Sequence, residues 1–203
     1  MSTLYQNKDN WVLETYFDPT VTNSLKEIVN SNRDCLYENT ESSAVRGLNS
    51  IQYWIYHHKM QPKFFDKTFE DGIKKLKEHV KSNLLQHNVI KDESLDYEGI
   101  WSIIGNEGSY CMIHDHTNIS GISAVLYLQT PGYDPQHHLE DAQGQIYFVL
   151  NSDNSEDFES KVCHILPDVG KVLIFPNWLL HGTHPQAKGD RQTLNINFFT
   201  SYT

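Results

Sequence analysis

The second half of the chain is divided into seven short segments rich in β-branched and aromatic residues, and this pattern constrains the fold more than any other feature. The segments follow Asp96 and are separated by residues typical of turns. They read EGIWSIIG, SYCMIHDH, ISAVLYLQT, GQIYFVL, KVCHILP, GKVLIFP and RQTLNINFFTSY. So many short strands in about a hundred residues predict a sandwich or barrel of antiparallel strands.

Helical patterns dominate the part of the chain that precedes these strands. Within residues 66–87, apolar side chains recur three or four positions apart, which predicts one long amphipathic helix packed on the sheet. The residues of this stripe are Phe69, Ile73, Leu76, Val80 and Leu84. Asp18 as N-cap and Pro19 at the first helical position predict the start of a second helix. The rest of the first third reads as helix and loop, with a strand at NSIQYWIYHHK.

The domain organisation follows from length and from the absence of a linker. A chain of 203 residues is long enough for one substantial core and short for two. We therefore expect a single domain over residues 1–203. Residues 1–98 would form a helical or mixed supporting layer, and residues 99–203 would form the β-rich core.

Charge and composition exclude several classes of partner. A net charge of -10 and a sequence pI of about 5.5 disfavour binding to nucleic acid, whose phosphates require clustered Lys and Arg. No apolar run approaches the roughly 20 residues that span a bilayer. The cysteines are odd in number and widely spaced, and the start MSTLYQNKDN does not resemble a secretory leader. A reducing, cytoplasmic setting is the expectation.

Two histidines lie two residues apart in SYCMIHDH. On a regular strand His114 and His116 share one face, and Asp115 points the other way. Two imidazoles on one face can chelate a single metal ion. The pair also fits ordinary core or strand-end histidines, so the motif by itself leaves both interpretations open.

A later stretch adds a third histidine. PDVGKVLIFPNWLLHGTHP places a strand between Gly170 and Pro176, with His181 just after the following turn and Arg191 at the start of the next strand. In a rolled sheet these strand ends meet, so His181 could reach the same metal with Arg191 further inside. His184 competes as a ligand, but its place before Pro185 favours a loop role.

The last predicted strand has two contrasting faces. Arg191, Thr193, Asn195 and Asn197 alternate with the apolar Leu194, Ile196 and Phe198. A buried polar face costs free energy unless it binds something polar. The alternation therefore indicates a polar ligand inside the barrel.

The stretches HDHTNISGISAVLYLQTP, GKVLIFPNWLLHGTHP and RQTLNINF resemble the iron(II)- and 2-oxoglutarate-dependent oxygenases, in particular a small family from bacteria and phages. The resemblance covers roughly residues 99–201. It implies a double-stranded β-helix, which is a jelly-roll, cupin-like barrel packed against the long helix. It also implies iron(II) as the metal, 2-oxoglutarate as cosubstrate and dioxygen as oxidant.

The resemblance assigns roles to individual residues. His114 and His181 resemble the two histidine ligands of the family, and Arg191 resembles the residue that pairs with the far carboxylate of 2-oxoglutarate. Thr193 is similar to the hydroxyl residue two positions after that arginine. Tyr127 resembles a tyrosine that reaches the same carboxylate, although a core role is an equally good interpretation of a tyrosine in AVLYL.

One position departs from the family pattern. Most members have His-x-Asp or His-x-Glu as the first ligand pair, whereas here His116 stands in the acidic position. We predict a face of three histidines, His114, His116 and His181. A local bulge that turns Asp115 inward is the alternative.

Two further functional hypotheses remain open. Gly108 and Gly170, each followed six residues later by His114 and Pro176, fit part of the cupin pattern, so a three-histidine metalloenzyme without 2-oxoglutarate is one alternative. A non-catalytic jelly-roll binding module is the other. Arg191 favours the dioxygenase, which would couple decarboxylation of 2-oxoglutarate to oxidation, most simply hydroxylation, of a small-molecule or peptide substrate.

Overall fold

The computed structural model describes residues 2–38, 45–47, 50–57, 66–90, 94–116, 121–131, 144–151, 162–186 and 189–200. Its helices are α1 (Pro19–Ser31), a 3-10 turn (Arg33–Cys35) and α2 (Lys67–Gln86). Its strands are β1 (Thr3–Asn7), β2 (Asn10–Tyr16), β3 (Tyr37–Glu38), β4 (Val45–Arg46), β5 (Ile51–His57), β6 (Leu95–Gly105), β7 (Tyr110–Cys111), β8 (Gly121–Gln129), β9 (Ile146–Val149), β10 (Val162–Ile165), β11 (Lys171–Pro176), β12 (His181–Thr183) and β13 (Arg191–Thr200). Neither described α-helix has the length and apolarity needed to cross a membrane.

The strands form a large sheet and a small sheet that face one another. The large sheet has eight strands in the order β1-β2-β11-β8-β13-β6-β5-β3, and the small sheet has the order β10-β9-β12. The short strands β4 and β7 form a separate pair. All described strand pairs are antiparallel. This mainly β, jelly-roll architecture with N-terminal helices confirms the predicted fold class.

Both predicted helices are present. Asp18 caps α1, because its carboxylate accepts hydrogen bonds from the backbone N–H groups of Thr20 and Val21. Asp66 caps α2 in the same way through the N–H of Phe69. All five apolar residues of the predicted α2 stripe are at most 1% exposed, and they pack into the core cluster that covers one face of the large sheet.

Alternation along the central strands separates two interiors. On β8, Ala124 and Leu126 face the helices, whereas Tyr127 belongs to a second cluster between the sheets. On β11, Ile174 faces the helices and Phe175 faces the small sheet. The period-two pattern therefore sorts side chains into a helix-side core and a barrel interior.

The N-terminal segment was predicted wrongly as helix and loop. Residues 3–16 form the hairpin β1–β2, and β2 pairs with β11 at the edge of the central strands. β5, by contrast, lies where the sequence predicted a strand, and it pairs with β6. The N-terminal part of the chain thus supplies strands to the large sheet as well as the helices that cover it.

Candidate metal centre

An antiparallel bridge brings His114 and His181 together. The backbone N–H of each residue donates to the carbonyl of the other, both at 2.9 Å, and the two ring centroids lie 4.3 Å apart. His181 begins β12, which also pairs with β9 through Phe148. The small sheet therefore holds His181, and the bridge holds His114 against it.

His116 completes the cluster. Its backbone N–H donates to the carbonyl of Asn177 at 2.7 Å, and its ring centroid lies 5.4 Å from that of His114 and 5.2 Å from that of His181. The nitrogen atoms that the three rings offer all lie within 4.8 Å of one another. Asp115, the alternative ligand, is not a member of this group within the described residues.

The route to this geometry differs from the regular strand that the sequence predicted. The strand ends at Cys111, and His114 and His116 follow on irregular backbone held by the two contacts just described. Met112, which a regular strand would place on the same face, is 43% exposed. Tertiary contacts, rather than simple alternation, bring the two imidazoles to one point.

Hydrogen bonds donated by Nδ1 fix which nitrogen of His114 and of His181 can bind a metal. His114 Nδ1 lies 2.7 Å from the carbonyl oxygen of Met112, and His181 Nδ1 lies 2.8 Å from that of Leu179. A carbonyl can only accept, so both rings carry their hydrogen on Nδ1 and expose an Nε2 lone pair. This pattern is the usual support of a histidine metal ligand. The donor set thus fits a divalent transition metal such as iron(II).

Burial favours the neutral form that a ligand requires. Desolvation, with a smaller contribution from the charge of His114, lowers the pKa of His116 to about 4. Desolvation, followed by the charges of His114 and His116, holds the pKa of His181 well below its usual range. Because metal and proton compete for the same nitrogen, these rings are available to a metal at neutral pH.

A cavity of about 220 Å³ lies beside the three imidazoles. Its lining includes the remaining sequence-predicted site residues, which are Tyr127, Arg191 and Thr193. Its other lining residues include Gln52, Trp54, Trp101, Ile103, Asn195 and Asn197. The structure therefore brings all six predicted site residues to one cavity.

Arg191 is a buried cation in this cavity, with only 4% of its surface exposed. Its guanidinium donates to the carbonyl of Gly144 at 2.8 Å and to Thr183 Oγ1 at 3.3 Å. Among the residues that the structure describes, no carboxylate forms an ion pair with it. Burying a guanidinium that has no carboxylate partner costs free energy, so the cavity around Arg191 is suited to an anion.

Tyr127 and Thr193 flank the guanidinium. Burial raises the pKa of Tyr127 to about 12 against the opposing effect of the Arg191 charge, so the phenol keeps its hydrogen and can donate it. Thr193 Oγ1 accepts a hydrogen bond from Asn195 Nδ2 at 3.1 Å. Both hydroxyl groups therefore belong to the polar surface around Arg191.

Several cavity residues lie outside the sequence predictions. Thr183 contacts Arg191, and its position two residues after His181 on β12 was a usable signal. Trp54 and Trp101 form a wall with ring centroids 5.2 Å apart, and Trp101 lies 6.2 Å from His116. No sequence signal placed Trp54 there, because β5 is distant in the chain from every other part of the site.

The competing histidine lies elsewhere. His184 packs against Tyr147 and His164, with ring centroids 5.0 and 5.2 Å away, and it does not line the cavity. Of the two histidines in HGTHP, His181 alone contributes to the cluster.

Comparison with known proteins agrees with this arrangement. Residues 99–197 match a family model described as "Putative 2OG-Fe(II) oxygenase". No curated protein matches the sequence. The matched segment contains all three histidines and Arg191, and it belongs to the iron(II)- and 2-oxoglutarate-dependent oxygenase superfamily. The cofactors of that superfamily are those in its name, iron(II) and 2-oxoglutarate.

Solved structures share the fold. A Pseudomonas putida prolyl-4-hydroxylase is 15% identical with a TM-score of 0.59, covering 93% of this chain and 91% of its own. A Trichoplax adhaerens prolyl hydroxylase, solved with a hypoxia inducible factor peptide fragment, is 16% identical with a TM-score of 0.62 over 98% and 83%. HygX from Streptomyces hygroscopicus, solved with nickel and 2-oxoglutarate, is 12% identical with a TM-score of 0.60 over 96% and 85%.

Proposed function

We propose that this protein is a dioxygenase that couples the decarboxylation of 2-oxoglutarate to succinate with the hydroxylation of a substrate. The observation that carries the proposal is the buried Arg191, which has no carboxylate partner among the described residues and lines the same cavity as three convergent imidazoles. A cluster of three histidine ligands by itself fits many metalloenzymes. Three convergent histidines that share a cavity with a buried guanidinium, which has no carboxylate partner among the described residues, fit a dicarboxylate cosubstrate.

The three histidines would hold the iron. Three neutral imidazoles would supply three nitrogen donors and would leave the other ligands to be oxygen donors. They add no negative charge, so the ion keeps its full charge of two. The dianion of 2-oxoglutarate then compensates a charge that a carboxylate ligand would have partly neutralised, and we expect cosubstrate binding to matter more here than at a site with an acidic ligand.

Arg191 would bind the far carboxylate of 2-oxoglutarate. Its planar fork can offer two parallel N–H donors and stays charged at every relevant pH. Its existing bonds to Gly144 and Thr183 fix the direction of the fork. The hydroxyl groups of Tyr127 and Thr193 lie on the same lining and would donate to the same carboxylate.

The metal would supply the oxidative step. With iron(II) bound, such a site would couple the reduction of dioxygen to two oxidations: 2-oxoglutarate would lose CO2 and take one oxygen atom to become succinate, and the other oxygen atom would enter a substrate C–H bond as a hydroxyl group. The contribution of the chain is to orient both reactants and to keep water away. The apolar rings of Trp101 and Phe175 and the side chain of Ile146 line the cavity and serve this purpose.

The substrate would approach on the tryptophan side. Trp54 and Trp101 line the cavity together with the histidines, and the ring centroid of Trp101 lies 6.2 Å from that of His116. Among structures of this fold, the Trichoplax enzyme was solved with a peptide fragment and HygX with hygromycin B. The substrate of this protein is accordingly sought among peptides and small molecules.

An anaerobic titration tests the proposal. Untagged protein loaded with iron(II) is titrated with 2-oxoglutarate while the visible spectrum is recorded, and succinate is measured after oxygen is admitted. We expect a new charge-transfer band and slow succinate formation. Arg191→Met should weaken 2-oxoglutarate binding strongly, whereas Arg33→Met, which removes an arginine bonded to Asn30 outside this cavity, should not.

The competing functions predict other results. A cupin-like metalloenzyme would bind the metal, but its spectrum would not respond to 2-oxoglutarate. A non-catalytic module would bind no stoichiometric metal. Either result would refute the dioxygenase.

A further inference from the structure

The hydroxyl of Ser123 lies at the centre of several buried polar side chains next to the three histidines. Ser123 Oγ is 2.9 Å from His116 Nδ1, 2.6 Å from Asn177 Oδ1 and 2.8 Å from Asn197 Oδ1. The serine and both asparagines are at most 4% exposed. Water therefore has little access to these groups, and their hydrogen bonds must be satisfied among themselves.

The fold places these residues around one point. Ser123 lies on β8 directly opposite Asn197 of the paired strand β13. On its other side Ser123 pairs with Phe175 of β11, two residues before Asn177. The carbonyl of Asn177 also accepts the backbone N–H of His116, so the same residue holds His116 through its main chain.

His116 differs from the other two ligands in how its Nδ1 is satisfied. His114 and His181 each use a carbonyl two residues earlier in the chain, an acceptor that no side-chain substitution removes. His116 uses a side-chain hydroxyl, which can both donate and accept. The tautomer of His116 therefore depends on where the hydroxyl hydrogen points.

The number of hydrogens available around Ser123 Oγ indicates which way its hydroxyl points. A hydroxyl carries one hydrogen, and two amide oxygens face Ser123 Oγ, so the hydrogen is taken on the asparagine side. The Nδ2 of Asn177 is buried and has no hydrogen-bond partner among the described residues. Turning this amide would give the serine a donor there and leave Asn197 Oδ1 as the acceptor. In both arrangements Ser123 Oγ accepts from His116, and the His116 hydrogen lies on Nδ1.

We propose that Ser123, oriented by Asn177 and Asn197, is the positioning residue that keeps the hydrogen of His116 on Nδ1 and turns its Nε2 lone pair toward the metal. This inference rests on the proposed metal centre. It gives a physical reason why a histidine works in the position where most of the superfamily has an acid. A carboxylate can ligate through either oxygen in any proton-free state, whereas an imidazole ligates only if the correct nitrogen is unprotonated.

The direct test measures the tautomer in the metal-free wild-type protein. Two-bond 1H–15N correlation spectra of protein labelled with 15N-histidine distinguish a ring protonated at Nδ1 from one protonated at Nε2. The His116 signals are identified by their absence in His116→Gln. We expect His116 in the Nδ1–H form. A wild-type His116 protonated at Nε2 would overturn the proposal.

Two variants of Ser123 extend the test to metal binding. Ser123→Ala removes the acceptor, and we expect a mixture of His116 tautomers and a cobalt(II) affinity that is lower by about 10- to 100-fold, the usual effect of losing a partner of a ligand. Ser123→Thr keeps the hydroxyl and should restore both measurements. Calorimetry gives the affinity, and the ligand-field spectrum of the cobalt(II) protein reports the loss of an imidazole.

Ser102→Ala is the matched control. Ser102 is also a fully buried serine of the large sheet, but its hydroxyl donates to the carbonyl of Thr193 and has no bond to any of the described histidines. Its loss should leave the His116 tautomer and the cobalt(II) affinity unchanged. Equal effects of the two alanine variants would mean that a buried serine matters only for packing, which would contradict the proposal.

These measurements separate the inference from the proposed function. Neither the tautomer nor the cobalt(II) affinity involves 2-oxoglutarate. A protein that binds cobalt(II) in a Ser123-dependent way but ignores 2-oxoglutarate would refute the dioxygenase and support the positioning role. If the wild-type protein uses 2-oxoglutarate and its Ser123→Ala variant binds cobalt(II) as tightly as the wild type does, the dioxygenase would be supported and the positioning role refuted.

Discussion

The two faces of β13 are equally buried and chemically opposite. Leu194, Ile196 and Phe198 are fully buried against the helix-side core. The other face lines the cavity, and its residues are only 4–7% exposed: Arg191, Thr193, Asn195 and Asn197. One strand thus carries both an ordinary hydrophobic core and a buried surface of polar groups.

The difference shows which residues maintain the fold and which serve a ligand. Each apolar side chain on the helix side stabilises the protein by leaving water, by about 1.5–3 kcal/mol. The polar side chains on the cavity side lose their hydration and regain only part of it through internal hydrogen bonds. We therefore expect substitutions on the helix side to change stability and those on the cavity side to change binding.

The largest effect should come from removing a metal ligand. His181→Ala leaves two imidazoles, so we expect metal affinity to fall by more than the roughly 100-fold reached by changes around a ligand. Succinate formation should become undetectable. Metal analysis of untagged protein measures the first result. His184→Ala is the control, since His184 lies three residues away outside the cavity; equal losses in both variants would contradict the assignment.

A substitution on the helix side should act on stability alone. Leu194→Ala creates a cavity in the core, so the free energy of unfolding should fall by about 2–5 kcal/mol, measured by urea denaturation. The folded fraction should still bind 2-oxoglutarate. Arg191→Met should show the opposite pattern, with lost binding and a smaller change in stability, because it removes a buried charge. A larger destabilisation by Arg191→Met would break the contrast between the faces.

The metal-free protein should lose stability in acid because of the buried histidines. The pKa of His116 is about 4 in the folded protein and 6.5 in the unfolded chain, so between these values the unfolded state binds the extra proton. The free energy of unfolding should therefore fall as pH decreases from about 6.5 to about 4, by up to about 1.4 kcal/mol per pH unit. His116→Gln should flatten this part of the profile. An unchanged slope would show that His116 is not buried in its neutral form.

The smallest effect should come from Thr193→Val. The change keeps the shape of the side chain but removes the acceptor of the Asn195 amide, with an expected cost of about 1 kcal/mol in stability. If Thr193 also donates to the cosubstrate carboxylate, 2-oxoglutarate affinity should fall several-fold as well. Thermal melts and the same anaerobic titration measure the two effects. An affinity equal to wild type would assign Thr193 to the protein scaffold alone.

Sequence patterns predicted the elements whose signal is local. The α2 stripe and the alternation on β13 follow from side-chain spacing, and the structure confirms both. The β1–β2 hairpin was missed because its signal is weak. Its turn has Lys8 at φ 55, a left-handed conformation in which glycine or asparagine would have marked a hairpin. The strand expected at residues 109–116 ends at Cys111 for a different reason, because contacts with other segments override the local pattern there.

The candidate site was predictable only in part. Residue types and family resemblance pointed to the three histidines and to Arg191, Thr193 and Tyr127, all of which line the cavity. Trp54, Thr183 and Ser123 were not foreseen. Trp54 and Ser123 act together with residues that are distant in the chain, so no single stretch of sequence contains that information. Thr183 differs, because it lies two residues after His181 on β12.

The sequence by itself determined which side chains share a face, because the periods of a helix and a strand are properties of the local backbone. It also determined the chemistry on offer, namely imidazole, guanidinium and buried amide. Only the tertiary structure decided which faces meet. The bridge between His114 and His181, and the hydroxyl that joins His116 to two asparagines, link the strands β8, β12 and β13 with the irregular segments that carry His114, His116 and Asn177. Long-range packing alone creates such contacts.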